Sequence, residues 1–239
     1  MSSTTLPAMR IKSRWFKPGE HHDAGEQAGA MAFICWRVSH QLVKRLRVAN
    51  FDIDAGPAYF GVLREALVFF CTVCDRVVHE RLTPEDRVAF VIALVRHAAR
   101  HYGENAQELL GPAPAGAGSH QDVFIDAFNE ASPQYADYPG QAAPRRPAAG
   151  GGADDSPDHL TTPGAGHPVA AVGFQPGFAY VRHFAGRIQP HLPLKDRQWV
   201  IDQLMALDVP DSLEIIQRAL RELFDPAPRA RRRATLGGE

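Results

Sequence analysis

The sequence predicts an all-α protein of about seven helices, arranged in two sequence blocks that are separated by a disordered linker rich in Pro, Gly and Ala. Apolar side chains recur at the i, i+3, i+4, i+7 spacing of a helix face in at least six segments. Residues that cap or start helices precede several of these segments. No segment of useful length alternates apolar and polar residues as a half-buried strand would. A chain of 239 residues is also long enough to bury a hydrophobic core.

The first block spans residues 23–131 and contains four predicted helices. The first helix, over residues 23–48, opens with the possible capping box Asp23-x-x-Glu26. The second helix begins at Pro57, a residue that suits the first helical position, and continues to about Leu82. Its middle, residues 67–74, is apolar on every side, which predicts a helix surrounded by other helices.

The sharpest boundary in the sequence is Thr83-Pro-Glu-Asp86, which offers an N-cap, a proline at N1 and two acids in the first turn. This predicted third helix ends near Gly111-Pro112. Because its connection to the second helix is short, the two helices must be antiparallel. A shorter fourth helix is predicted from Ser119 to Ala131.

Residues 132–173 are predicted to be a disordered linker, because this segment has too few large apolar residues to offset the entropy of an ordered chain. The second block, residues 174–225, contains three predicted helices, at about 175–189, 194–207 and 211–224. Three such short helices would be marginal alone, so we expect them to dock on the first block. Residues 1–22 form a basic and aromatic amino-terminal arm, and residues 226–239 form a basic tail that we expect to be disordered.

Charge is distributed unevenly along the chain. Basic residues open and close the sequence, whereas residues 18–228 hold 18 basic and 26 acidic residues, a balance of −8. An acidic body repels phosphate, so nucleic acid is not an expected partner. Three cysteines are an odd set outside any Cys-dense region, which favours a reducing, cytoplasmic compartment. The amino terminus shows no secretory signal, and the most apolar stretch, residues 66–74, is too short to cross a bilayer.

Cys71-Thr-Val-Cys74 has the thiol spacing of redox motifs and of half of many zinc sites. In redox motifs the thiols lie at a helix amino terminus, where the dipole lowers the thiol pKa. Here the pair lies in the middle of a predicted helix among large apolar residues. The preferred interpretation is therefore a pair of inert core residues, and a redox pair is the alternative.

His97 and His101 are spaced i, i+4, so they share one face of the third predicted helix. The short antiparallel connection puts Glu65 of the second helix at a similar axial level. One carboxylate and two imidazoles form a ligand set known for zinc and for non-haem iron. The sequence therefore allows a metal site at Glu65, His97 and His101. The competing interpretation, which we prefer, is that both histidines edge a contact between helices.

The arm segment between residues 10 and 17 mixes cations and aromatic side chains that could bind an anionic surface; the candidates are Arg10, Lys12, Arg14, Trp15 and Lys17. The alternative, which the small size of the segment favours, is that it pins the amino terminus to the acidic body of the protein.

Three motifs together resemble an all-helical family of bacterial proteins with no known activity: Ile11-Lys-Ser-Arg-Trp15, Asn50-Phe-Asp-Ile-Asp54 with Gly56-Pro57, and Asp196-Arg-Gln-Trp-Val-Ile-Asp202. The resemblance covers both helical blocks and leaves out the linker and the tail. It implies a bacterial, cytoplasmic origin and no particular mechanism.

The sequence lacks a Gly-rich phosphate loop, a nucleophile elbow and a His-Glu-x-x-His motif, so nothing in it indicates catalysis or a cofactor. We therefore expect a non-catalytic helical interaction or scaffold protein that associates with itself or with a protein partner. Metal or redox chemistry at the residues named above is the alternative, and binding of an anionic surface through the arm is a second alternative.

Overall fold

The structure is a computed structural model that describes residues 24–113, 115–116, 118–141 and 174–224. The predicted arm, most of the predicted linker and the whole predicted tail lie outside these residues. The all-α prediction is confirmed: helices dominate the described chain, and its only strands are two residues long each.

Four long helices form the amino-terminal part: α1 (Ala24–Val48), α2 (Pro57–His79), α3 (Pro84–Leu110) and α4 (His120–Ala136). The carboxy-terminal part contains α5 (Phe178–Ile188), α6 (Leu194–Arg197), α7 (Val200–Gln203) and α8 (Val209–Phe224). A 3₁₀ turn (Gln189–His191) follows α5, and a π-helical turn (Leu204–Asp208) joins α7 to α8.

Helix α2 lies at the centre of the molecule and contacts α1, α3, α4, α5 and α8. Its central residues from Ala66 to Cys74 are all buried, because every face of the helix meets another element. Within the described chain, α2 is the one helix long and apolar enough to cross a membrane, and 78% of that apolar window is buried inside the fold. The central position of α2 thus accounts for its apolar composition.

The predicted helix starts at Thr83 and Ser119 are confirmed by their capping contacts. The Thr83 hydroxyl accepts a hydrogen bond from the backbone N–H of Asp86 at 3.2 Å. Ser119 accepts from the N–H of Asp122, and the Asp122 carboxylate accepts from the Ser119 N–H in return, which completes a capping box. Helix α3 ends where Gly111 adopts a φ of 80°, a left-handed conformation that favours glycine.

Residues 132–141, which the sequence assigned to the linker, are ordered, so the predicted start of the linker is wrong. Helix α4 continues through Pro133 to Ala136, and Gly140–Gln141 forms a strand that pairs antiparallel with Gln175–Pro176. Pro133 removes one helical N–H donor and its ring crowds the preceding turn, so it weakens this last part of the helix, which nevertheless continues to Ala136. Burial of Tyr135 supplies packing that the polar and Pro-rich local sequence did not indicate.

The carboxy-terminal helices pack on α2 through an aromatic cluster. The Phe69 ring of α2 stacks on Phe184 of α5, with ring centroids 4.3 Å apart and planes at 18°. Tyr180 lies 5.6 Å from Phe69, and its hydroxyl donates to the Thr72 hydroxyl at 2.9 Å. Aromatic pairs of this kind add to the free energy gained by burying apolar area.

The π-helical turn holds a buried carboxylate, Asp208. Gln203 Nε2 donates to this carboxylate at 3.2 Å, and Arg45 Nη1 of α1 lies 3.8 Å away. Burial raises the pKa of Asp208, although the Gln203 hydrogen bond and the Arg45 charge oppose that shift. The widened turn therefore ties α8 to α1 through a polar contact.

Candidate functional site

Glu65, the carboxylate of the predicted metal site, is buried and bound to arginines. Arg187 Nε of α5 donates to Glu65 Oε2 at 2.6 Å, and Arg64 Nη2 donates to Oε1 at 3.0 Å. His191 Nε2 lies 4.0 Å from Oε1. This carboxylate is used in a buried ionic contact that joins α2 to the carboxy-terminal helices.

His97 and His101 face α1 instead of Glu65. The His97 ring packs against Gly29, whose added Cβ would lie 3.4 Å from His97 Nε2. The His101 ring lies 6.2 Å from Trp36 and 5.9 Å from Phe33, centroid to centroid. Burial, with the nearby Arg100 charge, lowers the pKa of His101. Both histidines therefore edge the α1–α3 contact.

The structure does not bring Glu65 together with His97 and His101, because the rotation of α2 turns Glu65 toward α5. No group of three or more His, Cys, Asp or Glu side chains within the described part of the chain is arranged to hold a metal ion.

Cys71 and Cys74 are fully buried in α2, together with Cys35 of α1. The sulfurs of Cys35 and Cys74 are 3.6 Å apart, so Cys35 of α1 joins the pair in space. Burial, followed by the neighbouring thiols, raises the pKa of Cys35 well above its usual value. A protonated thiol in a dry core is a poor nucleophile, so this environment is that of packing residues.

The candidate surface residues Arg10, Lys12, Arg14, Trp15 and Lys17 lie outside the described residues. The described surface has a different cationic feature, which we call the α1 groove. It is a concave surface of about 800 Å³, formed along the carboxy-terminal half of α1 and the start of α2, and lined by Arg37, His40, Gln41, Lys44, Arg47, Val48 and Tyr59.

Helical spacing explains why α1 presents these side chains together. Arg37, Gln41, Lys44 and Val48 recur at three- and four-residue intervals, so they share one face. The opposite face, including Leu42, Val43 and Leu46, is buried. Cations near the carboxy terminus of a helix also interact favourably with its dipole.

The wall of the α1 groove contains a hydrogen-bonded aromatic pair. His40 Nδ1 and the Tyr59 hydroxyl are 2.7 Å apart, and the His40 ring lies 4.3 Å from the perpendicular Trp36 ring. Burial lowers the pKa of His40, so the ring is neutral at pH 7. A neutral imidazole has one donor and one acceptor nitrogen, so the tautomer of His40 sets the direction of its hydrogen bond with Tyr59.

The groove is cationic because nothing in its lining neutralises Arg37, Lys44 and Arg47. None of its lining residues is acidic. Within the described ranges these three side chains form no ion pair, whereas the neighbouring Arg45 pairs with Asp211 at 2.8 Å. The sequence indicates this cationic surface as well, because residues 27–51 include four basic residues and no acid.

No protein-family model matches this sequence, and neither a curated protein nor a solved structure is significantly similar to it. The resemblance to an all-helical bacterial family stays a prediction, and the function must be argued from the geometry of the chain.

Proposed function

We propose that this protein is a non-catalytic helical interaction protein whose α1 groove binds an acidic segment of a partner protein. The observation that carries the proposal is the set of three cations, Arg37, Lys44 and Arg47, which form no ion pair with any described residue and share one concave surface whose lining has no carboxylate. Ion pairs formed across such a surface steer association and select partners by charge.

The shape of the groove favours a chain segment over a compact ion. Ten residues separate Arg37 from Arg47, which is about 15 Å along a helix at 1.5 Å per residue. An extended peptide covers this length with about five residues. The half-buried Tyr59 and the exposed Val48 add apolar surface between the charges. Alternating acidic and apolar side chains would match this surface.

The charge of the whole chain favours a peptide over a polyanion. The balance of −8 across residues 18–228 repels nucleic acids and anionic membranes at long range. A short acidic peptide carries less charge and meets only the local field of the groove. The cytoplasm is our proposed location, supported by three cysteines that are all free thiols.

Selection of peptides from a random library on the full-length protein tests the proposal. We expect the selected peptides to be enriched in Asp and Glu and to bind more weakly as salt is raised. The variant Arg37→Gln/Lys44→Gln/Arg47→Gln should bind them at least about tenfold more weakly, as expected when three exposed charge pairs are lost. The control Arg96→Gln/Arg100→Gln/Arg218→Gln removes the same charge elsewhere and should bind like the wild type.

Three results would overturn the proposal. The first is equal peptide binding by the groove variant and the control variant. The second is a preference of the groove for a single-stranded oligonucleotide or for phosphatidylserine vesicles over every acidic peptide, which would assign it to phosphate recognition. The third is a concentration-dependent dimer that only the groove variant abolishes, which would make a second copy of the chain the occupant.

A further inference from the structure

A second concave surface, which we call the α5 groove, lies along the outer face of α5. Its lining residues on that helix are Ala179, Arg182, His183, Gly186 and Arg187, and Tyr138 lines it from beyond the end of α4. The spacing i, i+3, i+4, i+7, i+8 places the five α5 residues on one helix face. Its volume of about 570 Å³ is in the range of sites for small molecules. This site is independent of the α1 groove.

Packing within the described chain does not require a glycine at position 186. Gly186 lies inside an eleven-residue helix, where glycine is less favourable than alanine, and a Cβ added there would meet no described atom within 4 Å outside the backbone of its own helix. The helical glycines Gly61 and Gly103 differ, because an added Cβ would collide with the side chains of His191 and Gln121 respectively. At Gly186 the missing side chain instead leaves the groove open.

Two arginines line the groove, and one of them also contacts an exposed carboxylate outside the lining. Arg182 is exposed and forms no ion pair with any described residue. Arg187 uses Nε for the buried Glu65 and Nη1 for Glu130, whose carboxylate is 3.3 Å away and 67% exposed. Because the Glu130 contact is long and solvated, it contributes little and can be replaced by another oxyanion.

Aromatic and polar groups form the rest of the wall. The rings of Tyr138 and His183 lie 5.3 Å apart, and Tyr135 lies perpendicular to His183 at 4.8 Å. Burial and the Arg187 charge lower the pKa of His183, so its ring is neutral at pH 7. The hydroxyl of Tyr135, which lies behind the wall, and Nε2 of His183 are buried without a hydrogen-bond partner in the described chain. Buried polar groups without a partner are uncommon in folded proteins.

From these observations we propose that the α5 groove binds a small organic molecule that carries an oxyanion group. Arg182 and the Nη1 side of Arg187 bind the oxyanion, which displaces Glu130. The apolar or planar part of the molecule packs over Gly186 and against the Tyr138 ring. Carboxylates and phosphate monoesters share this chemistry, and arginine binds both through paired N–H donors.

Titration of the full-length, ¹⁵N-labelled protein with benzoate and with phenyl phosphate tests the proposal by NMR. We expect saturable shifts of the Gly186 amide and of the His183 ring nitrogens with at least one probe, and the probe that binds more tightly identifies the oxyanion. Benzamidine, which has a similar ring and a positive charge, should cause no shift. Arg182→Gln should weaken binding about fivefold, as expected for the loss of one exposed charged contact.

Two further variants separate occupancy of the groove from general electrostatics. Glu130→Gln should tighten binding about twofold or more, because it removes the competing carboxylate. Gly186→Leu fills the groove and should abolish binding, and its circular dichroism spectrum shows whether it folds. If Gly186→Leu does not fold, the proposal is tested by the opposite effects of Arg182→Gln and Glu130→Gln on probe binding. An absence of shifts at millimolar probe, or equal binding by all variants, would overturn the proposal.

Discussion

Replacing Glu65 by Gln should lower the free energy of unfolding by about 3 kcal/mol, because it leaves a buried arginine without its charged partner. The side chain of Glu65 is 3% exposed and that of Arg187 is 13% exposed. Gln keeps the volume of Glu, so packing changes little, and Arg187 cannot release its proton. Breaking a buried pair typically costs about 3–5 kcal/mol. The remaining contact with Glu130 puts this variant at the lower end of that range.

Urea unfolding followed by circular dichroism measures this effect. With a slope of about 2 kcal/mol per molar urea, the midpoint should fall by about 1.5 M. The control is Arg218→Gln, which breaks the exposed pair of Arg218 with Glu214 and should change stability by less than about 0.5 kcal/mol.

A double variant tests whether the loss of stability comes from the charge that Glu65→Gln leaves unpaired. Glu65→Leu/Arg187→Met removes the two most buried charges and leaves Arg64, whose side chain is 24% exposed and reaches solvent, so this variant should be less destabilised than Glu65→Gln. The reasoning would be refuted if Glu65→Gln shifted the midpoint no more than Arg218→Gln, or if the costs of Glu65→Leu and of Arg187→Met simply added in the double variant.

Three further predictions concern helix glycines, histidine protonation and the buried thiols. Gly61→Ala should destabilise the protein because the new Cβ collides with the His191 ring, whereas Gly186→Ala should stabilise it by about 0.5–1 kcal/mol. The melting temperatures of these two variants should therefore shift in opposite directions. Burial lowers the pKa of four histidines, His40, His101, His183 and His191. The unfolded chain therefore binds more protons near pH 6 than the folded chain, and the melting temperature should fall as pH drops from about 7.5 to about 5.5. A melting temperature that does not change over this range would contradict the lowered pKa values. The three thiols should react with a maleimide only as fast as the protein unfolds, and rapid labelling of native protein would revive the redox alternative.

Features of the fold that depend on neighbouring residues were predictable from the sequence. The start of α3 at Thr83 could be assigned because the cap, the proline and the acids act within one turn. The end of α4 could not, because Pro133 acts locally as a breaker while burial of Tyr135 depends on α2 and α5. Local signals therefore gave most helix starts, and tertiary packing decided where α4 ended.

The candidate sites depend on how each helix is rotated, which the sequence does not state. Glu65 could be placed at the level of His97 by counting residues, but the direction in which it faces follows from its pairing with Arg187, 122 positions away. Cys35 and Cys74 meet across α1 and α2 for a similar reason. The cations of the α1 groove share one helix and were visible as an acid-free stretch. Only the fold shows that Tyr59 of α2 closes one side of the α1 groove.

The short strand pair holds Gln141 beside Gln175, so the described residues on either side of this stretch of sequence are adjacent. The entropy cost of connecting two adjacent points rises only slowly with the length of the connection. This junction is therefore a suitable place to insert a fluorescent reporter or to graft a shorter connection, since neither change would alter the distance between α4 and α5.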